Sequence, residues 1–271
     1  MAHHPGMVDD AQRHRLRTTF EDVAELYDWA RPTYPASLFD DLLTEAGLSA
    51  GSRVLEIGCG TGKATVDLAA RGLEITCVEL GAQLAEIARR NLAPFADAEV
   101  VTTDFETWDA GDRCFDAVVA FTAFHWLDPD VAYKKVRQLL GGDGELAIVT
   151  TDHVRGDPED PFWAAVQPDY VELGVSDDER PPPHPEDVAD LRAQIDAGGL
   201  FLTTTVRRYL WDVSYTADEY IAVLDTYSGH RAVDDETRAA LYARIHARIL
   251  AAPGGAVRKT YLATLNVARC V

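Results

Sequence analysis

The sequence predicts an α/β fold, a doubly wound and mostly parallel sheet with helices on both faces. Short apolar runs alternate with stretches whose apolar residues recur at helical spacing from Arg53 to Thr150. A loop with glycines at alternate positions, Gly58-Cys59-Gly60-Thr61-Gly62, directly follows the first apolar run. After Thr150 this rhythm breaks, and the run Pro181 to Pro183 excludes regular structure where it falls.

Taken in order, Phe20 to Ala30 reads as a short helix stopped by Pro32, because the residue before a proline avoids the α region. Pro35 opens a second helix with Leu38, Phe39, Leu42 and Leu43 at helical spacing, closed by Gly47. Arg53 to Ile57 is a buried strand, Thr61 to Ala70 a helix, Ile75 to Leu80 a strand and Ala82 to Leu92 a helix. Val100 to Thr103 is a third strand, and the continuously apolar Phe115 to Phe121 a fourth, as parallel strands are. A helix from Asp130 to Leu140 leads to a fifth strand, Gly144 to Thr150. Beyond an irregular or helical segment, Phe201 to Val213 is strand-like, and helices follow at Ala217 to Tyr227 and from Asp234 to Leu250. In the last helix Leu241, Ile245 and Ile249 share one face, away from Arg238, Arg244 and Arg248; Arg258 to Cys270 is the final strand. The expected organisation is a flexible segment 1–19, then a single domain 20–271 with helical insertions at 151–199 and 216–252. These insertions form a lid over an acceptor site.

Composition narrows the class. Of 271 residues, 47% are hydrophobic and 26% charged, enough to bury a sizeable core. No apolar run reaches the ~18 residues of a bilayer span and no secretory leader is read, so no membrane partner is expected. Cys59, Cys77, Cys114 and Cys270 lack metal-ligand spacing, which predicts reduced thiols, no metal and a cytoplasmic setting. The formal net charge is −20, and residues 151–200 hold 13 Asp and Glu against 3 Arg. With no basic run to neutralise phosphates, nucleic acid is not an expected partner.

The chemistry is carried by V-L-E-I-G-C-G-T-G, from Val54 to Gly62. A dinucleotide fingerprint G-x-G-x-x-G brings a helix N-terminus to a pyrophosphate, but here Lys63 stands at its third glycine. Glu56, two residues before the first glycine, would repel phosphate and suits a cationic or polyhydroxylated ligand.

The stretch resembles the first motif of class I S-adenosylmethionine-dependent methyltransferases, whose cofactor carries a sulfonium, an ammonium and a carboxylate but no phosphate. The resemblance implies a Rossmann-like fold, S-adenosylmethionine as cofactor and S-adenosylhomocysteine as product. It implies cofactor contacts from Glu56, Gly58, Cys59, Gly60, Thr61 and Gly62. It also places Glu79, seventeen residues after Gly62, on the ribose hydroxyls beside Leu80. Asp104 and Phe105 resemble the pair that takes the adenine amine and flanks the base, and Phe121 to His125 should line the methionine end. F-x-x-x-A-x-x-Y-x-x-A-R-P-x-Y-P, from Phe20 to Pro35, and A-F-H-W-L-D-P, from Ala123 to Pro129, resemble signatures of a small-molecule subgroup. By that resemblance Tyr27 and Arg31 hold the methionine carboxylate, for which a guanidinium fork is suited. No N-P-P-Y-type motif appears, against methylation of amide or nucleobase nitrogens.

Methyl transfer from a sulfonium is an in-line displacement to which a protein contributes chiefly orientation and desolvation. A general base matters only for a nucleophile that enters protonated, and His125, after the fourth strand, is the candidate. Trp126 reads as an apolar wall, and Trp163, Tyr170, Tyr227, Ser228 and His230 as acceptor-pocket residues, most of them competing with a role in packing. The resulting reading is methylation of a small organic acceptor at O, N or C. Methylation of protein or RNA, a non-catalytic S-adenosylmethionine-binding scaffold and an NAD-dependent dehydrogenase are the alternatives. The acceptor and the oligomeric state are not legible in the sequence.

Overall fold

A computed structural model describes residues 23–271. The expected flexible segment 1–19 and Phe20 of the N-terminal signature lie outside them. The order is α1 (Ala24–Ala30), α2 (Ala36–Glu45), β1 (Arg53–Ile57), α3 (Lys63–Ala69), β2 (Glu74–Glu79), α4 (Ala82–Leu92), β3 (Ala98–Thr102) and β4 (Phe115–Phe121). Then come α5 (Pro129–Leu139), β5 (Leu140–Val154), α6 (Phe162–Ala165), α7 (Gln167–Glu172), α8 (Arg192–Ala197) and β6 (Phe201–Thr216). The last elements are α9 (Ala217–Leu224), α10 (Ser228–Arg231), α11 (Asp235–Ala251) and β7 (Ala256–Cys270).

The seven strands form one sheet in the order β3-β2-β1-β4-β5-β7-β6, and β3-β2-β1-β4-β5 are mutually parallel. Strand order reverses between β1 and β4, the switch point at whose carboxyl edge open α/β sheets bind ligands. The chain sorts into two compact units. The loop-bearing unit holds Thr33–Thr151, Asp190–Tyr209 and Ala263–Val271. Of the described residues, the aromatic unit holds 23–32, Asp152–Ala189 and Leu210–Leu262.

In the loop-bearing unit β4 is the central strand, and Ala117, Val118, Val119 and Ala120 are wholly buried, as a strand covered on both faces requires. Val118 and Ala120 pack in one core with Leu55 and Ile57 of β1 and with Leu146 and Ile148 of β5. Asp128 caps α5 by accepting from the Asp130 amide, with Pro129 in the first turn where its missing N–H costs nothing. The fifth strand begins at Leu140 rather than Gly144. Phe115 pairs with Leu140 and Ala117 with Glu145, so the glycine-rich 141–144 is absorbed as an irregularity in the ladder instead of forming a turn.

The aromatic unit has its own core, in which Leu241, Ile245 and Ile249 of α11 form the buried face predicted for that helix. A reciprocal capping box between Thr216 and Glu219 starts α9. That helix stops at Leu224 rather than Tyr227, because Thr226 turns its hydroxyl back to the Val223 carbonyl. No helix among the described residues is long and apolar enough to cross a membrane.

Candidate active site

The loop between β1 and α3 is built from left-handed backbone. Gly58, Gly60 and Gly62 have φ of +68°, +58° and +84°. At Gly58 space is also short, since a Cβ there would meet the Ala123 Cβ at 2.7 Å. The loop therefore lies directly against the segment that follows β4. Helix α3 starts at Lys63, later than the predicted Thr61, because the left-handed Gly62 occupies its N-cap.

Glu79, at the end of β2, fastens this loop. One carboxylate oxygen accepts from the Gly60 amide and the other from the Gly81 amide, each at 2.8 Å, and the residue is 7% exposed. Leu80 beside it is half-buried.

Glu56 is a correction. Expected to face a ligand, it is 1% exposed, and its carboxyl accepts from the Thr65 hydroxyl of α3 at 2.7 Å. Its strand is covered on both faces, so the side chain sits beneath the glycine loop. Burial pushes its pKa up to about 7, Thr65 opposes the rise, and the charge of Glu79 adds to it. Cys59 is buried too, and the Cys77 thiol together with burial pushes its own thiol well up, making it an inert packing group. The four cysteines form no disulfide. Thr61 is 1% exposed, and its hydroxyl is buried without a hydrogen-bond partner among the described residues.

Beyond β3, Asp104 is half-buried and accepts from the Glu106 amide at 2.8 Å. Phe105 corrects a second expectation. Its ring is 2% exposed, packed in the core with the Lys135 ammonium 5.2 Å above it, so it cannot flank a base. Past β4, Phe121 packs against Tyr34 and Phe39, at centroid distances of 5.2 and 5.6 Å. Thr122 has φ +53°, which a β-branched residue adopts only under strain. Its hydroxyl meets those of Tyr34 and Thr151, each at 3.1 Å. Thr122 falls in the segment Phe121 to His125 expected to line the methionine end, whereas Tyr34 enters the sequence reading only as the proline-flanked tyrosine of the N-terminal signature. His125 is exposed in a single helical turn, Phe124–Trp126, its ring 4.7 Å from that of the half-buried Trp126.

Two predicted cofactor ligands, Tyr27 and Arg31, belong to the aromatic unit together with all the acceptor candidates except Trp126. Arg31 donates from Nε to the Thr226 hydroxyl at 2.7 Å and from Nη2 to the Thr226 carbonyl at 2.9 Å. Its guanidinium lies 4.1 Å from the Tyr227 ring centroid and 5.0 Å from that of Tyr27. Its fork is thus held by Thr226 and tyrosine faces. Trp163 is core rather than pocket: it is 4% exposed, donates to the Arg258 carbonyl at 2.9 Å and packs edge-on against Phe162 and His153. Tyr170 and His230 meet at 3.4 Å; burial raises the phenol's pKa and lowers the imidazole's to about 3. Ser228 opens α10, half-buried.

Tyr227 is half-buried and receives a hydrogen bond from the Lys259 ammonium at 2.9 Å. Lys259 itself is 2% exposed, within 5.0 Å of the Tyr227 and Tyr261 rings. This buried lysine was invisible in the sequence, where it is one cation inside a β-rich run.

The family described as "Methyltransferase domain" matches residues 54–144, the stretch from β1 to the start of β5. An uncharacterized methyltransferase of Mycobacterium tuberculosis is 32% identical over 141 residues, covering 51% of this chain and 54% of the relative. The magnesium-protoporphyrin O-methyltransferase of Rhodobacter capsulatus is 35% identical over 135 residues, 48% of this chain and 55% of the relative. The chain thus spans about half the length of the curated relatives it matches. A Thiobacillus denitrificans S-adenosylmethionine-dependent methyltransferase, solved with S-adenosyl-L-homocysteine, aligns over 91% of this chain and 96% of its own with a TM-score of 0.53 at 15% identity. The stretch 54–144 is thus similar to the methyltransferase-domain family, and the strand order is that of a Rossmann-like fold.

Proposed function

We propose that the chain binds S-adenosylmethionine at the loop after β1 and transfers its methyl group to a small organic acceptor, leaving S-adenosylhomocysteine. The observation that carries this reading is the Glu79 carboxylate, fixed by the Gly60 and Gly81 amides at the carboxyl edge of the switch point. An ionised carboxylate accepts hydrogen bonds only, which is the complement a ribose diol presents. The same charge disfavours a diphosphate. The buried Thr61 hydroxyl, without a partner among the described residues, fits a loop that completes its hydrogen bonds with a ligand. The relative named for magnesium-protoporphyrin and the neighbour solved with S-adenosyl-L-homocysteine support both halves of the reading.

In this reading Glu79 holds the ribose, Asp104 the adenine amine, and the loop from Gly58 to Gly62 the methionine portion against Phe121 and Thr122. Bound there, S-adenosylmethionine supplies a methyl group already activated by its sulfonium. The residues of the chain orient donor and acceptor in line and exclude water, where alignment alone is worth effective molarities of roughly 10⁵–10⁸ M.

Calorimetry with S-adenosylhomocysteine tests the assignment. The wild type should bind, and Glu79→Gln should weaken binding roughly tenfold to a hundredfold, the worth of a hydrogen bond to a charged group. NAD should not compete. Unaltered affinity in the variant would show that Glu79 is not the ribose ligand.

A further inference from the structure

We propose that the aromatic unit holds a binding site for a small organic carboxylate, built on Lys259 with Arg31 beside it. The proposal does not rest on the methyl transfer above, and every residue it uses belongs to that one unit. Lys259 of β7 is 2% exposed and Arg31, after α1, is half-buried; neither has a carboxylate within ion-pair distance among the described residues. Buried charges are ordinarily paired, because an ion taken from water without a counter-charge is strongly disfavoured. Three ring faces attend the ammonium, those of Tyr227, Tyr261 and Tyr220 at 4.9, 5.0 and 5.7 Å. Such faces attract a cation but carry no net charge to balance it.

The hydrogen bonding is as incomplete as the charge. An ammonium has three donors, and among the described residues Lys259 finds one acceptor, the Tyr227 oxygen at 2.9 Å. Arg31 spends Nε and Nη2 on Thr226, and its Nη1 finds no acceptor among the described residues. Two imidazoles lie within electrostatic reach of Lys259, His153 at the end of β5 and His230 of α10. Each buries a ring nitrogen without a partner among the described residues, Nε2 of His153 and Nδ1 of His230. Burial is the main reason that both rings stay neutral, and Lys259 adds to it. Buried polar groups nearly always have partners, so several unmet ones around one cation point to a ligand.

The chain's own candidate for the counter-charge is the Tyr227 phenol. Burial pushes its pKa up, while Lys259 and Arg31 pull it down to about 8. At neutral pH the phenol is therefore mostly protonated, and the two cations stay unbalanced. A carboxylate meets each want: one negative charge, and two oxygens that accept from ammonium, guanidinium and imidazole N–H groups. A phosphate dianion would give up far more hydration on entering surroundings made of rings. Those rings, Tyr227, Tyr261 and the Trp163 indole 4.1 Å from His153, suit a carboxylate with an apolar body.

Calorimetry of the full chain at neutral pH tests the site, with cyclohexanecarboxylate, acetate, inorganic phosphate and the uncharged cyclohexanecarboxamide as probes. Cyclohexanecarboxylate should bind, acetate more weakly, and phosphate and the amide not at all. Lys259→Met should weaken binding roughly tenfold to a hundredfold, the worth of a hydrogen bond to a charged group. It should also raise the melting temperature of the free protein, since a buried cation without a counter-charge has gone. Arg31→Met should cost binding a similar factor, which keeps the test open if the first variant does not fold. No carboxylate binding to the wild type, preference for phosphate, equal binding of the amide, or unaltered affinity in both variants overturns the proposal. Competition between cyclohexanecarboxylate and S-adenosylhomocysteine would likewise overturn it, by assigning these cations to the methionine carboxylate. Carboxylate binding without any binding of S-adenosylhomocysteine would instead overturn the function proposed above and leave this site in place.

Discussion

Gly58→Ala is expected to destabilise the protein by about 2–5 kcal/mol and to weaken S-adenosylhomocysteine binding at least about tenfold. Two costs combine. An L residue at the +68° φ of Gly58 sits in left-handed backbone, at roughly 1–2 kcal/mol. The added methyl would also stand 2.7 Å from the Ala123 Cβ, so loop and post-β4 segment must part, at about 1–3 kcal/mol. Gly199→Ala separates the two, because Gly199 has φ +65° and nothing within 4 Å of an added Cβ. Urea unfolding should show the Gly199 variant losing only the conformational part, about 1 kcal/mol. Ala123→Gly should restore part of the loss in Gly58→Ala. Equal losses at the two glycines would remove the close approach from the account.

Glu56→Gln is expected to stabilise the protein above neutral pH and to do little near pH 4. The folded carboxyl titrates at about 7, against 4.5 for an ordinary glutamate. Below pH 4.5 it is protonated in both folded and unfolded chains and costs nothing. Between 4.5 and 7 the unfolded chain releases the proton while the folded one keeps it, so stability falls as pH rises. At about 1.4 kcal/mol per pH unit the loss reaches on the order of 3 kcal/mol and then levels off above about 7. Glutamine keeps an oxygen for the Thr65 hydroxyl but has no charge to bury. The difference in melting temperature between variant and wild type should therefore grow from pH 5 to pH 8. A difference independent of pH would mean that the carboxyl is not held protonated.

The parallel sheet was legible because β1, β2 and β4 are apolar runs too short to be helices, each followed by helical spacing. Elements set by tertiary contacts were not. The start of β5 hides in Gly141-Gly142, which reads as a turn until Phe115 pairs with Leu140. The break at Thr226 depends on a hydroxyl that also receives Arg31, 195 positions earlier. In the candidate site the glycines and Glu79 follow from spacing. The inward turn of Glu56 does not, since which face a strand residue presents to a helix is fixed only when the sheet is assembled. Arg31 was read by its suitability for carboxylates, whereas its donors go to Thr226. Lys259 shows the same limit more sharply: a lysine in a strand is ordinarily solvated, and only the surrounding tyrosines make it a buried cation.

The loop-bearing unit is drawn from three separated stretches, the last of them Ala263–Val271. A fragment cut at Thr151, although it carries the glycine loop and the whole family-matched region, lacks β6 and β7 and leaves the flank of β5 as an open, aggregation-prone edge. Contacts in such a unit join positions on the order of a hundred residues or more apart, so closure entropy must be met before they form and folding is correspondingly slow. Expression of the excised region would therefore report on an unfinished sheet rather than on the affinity of its loop.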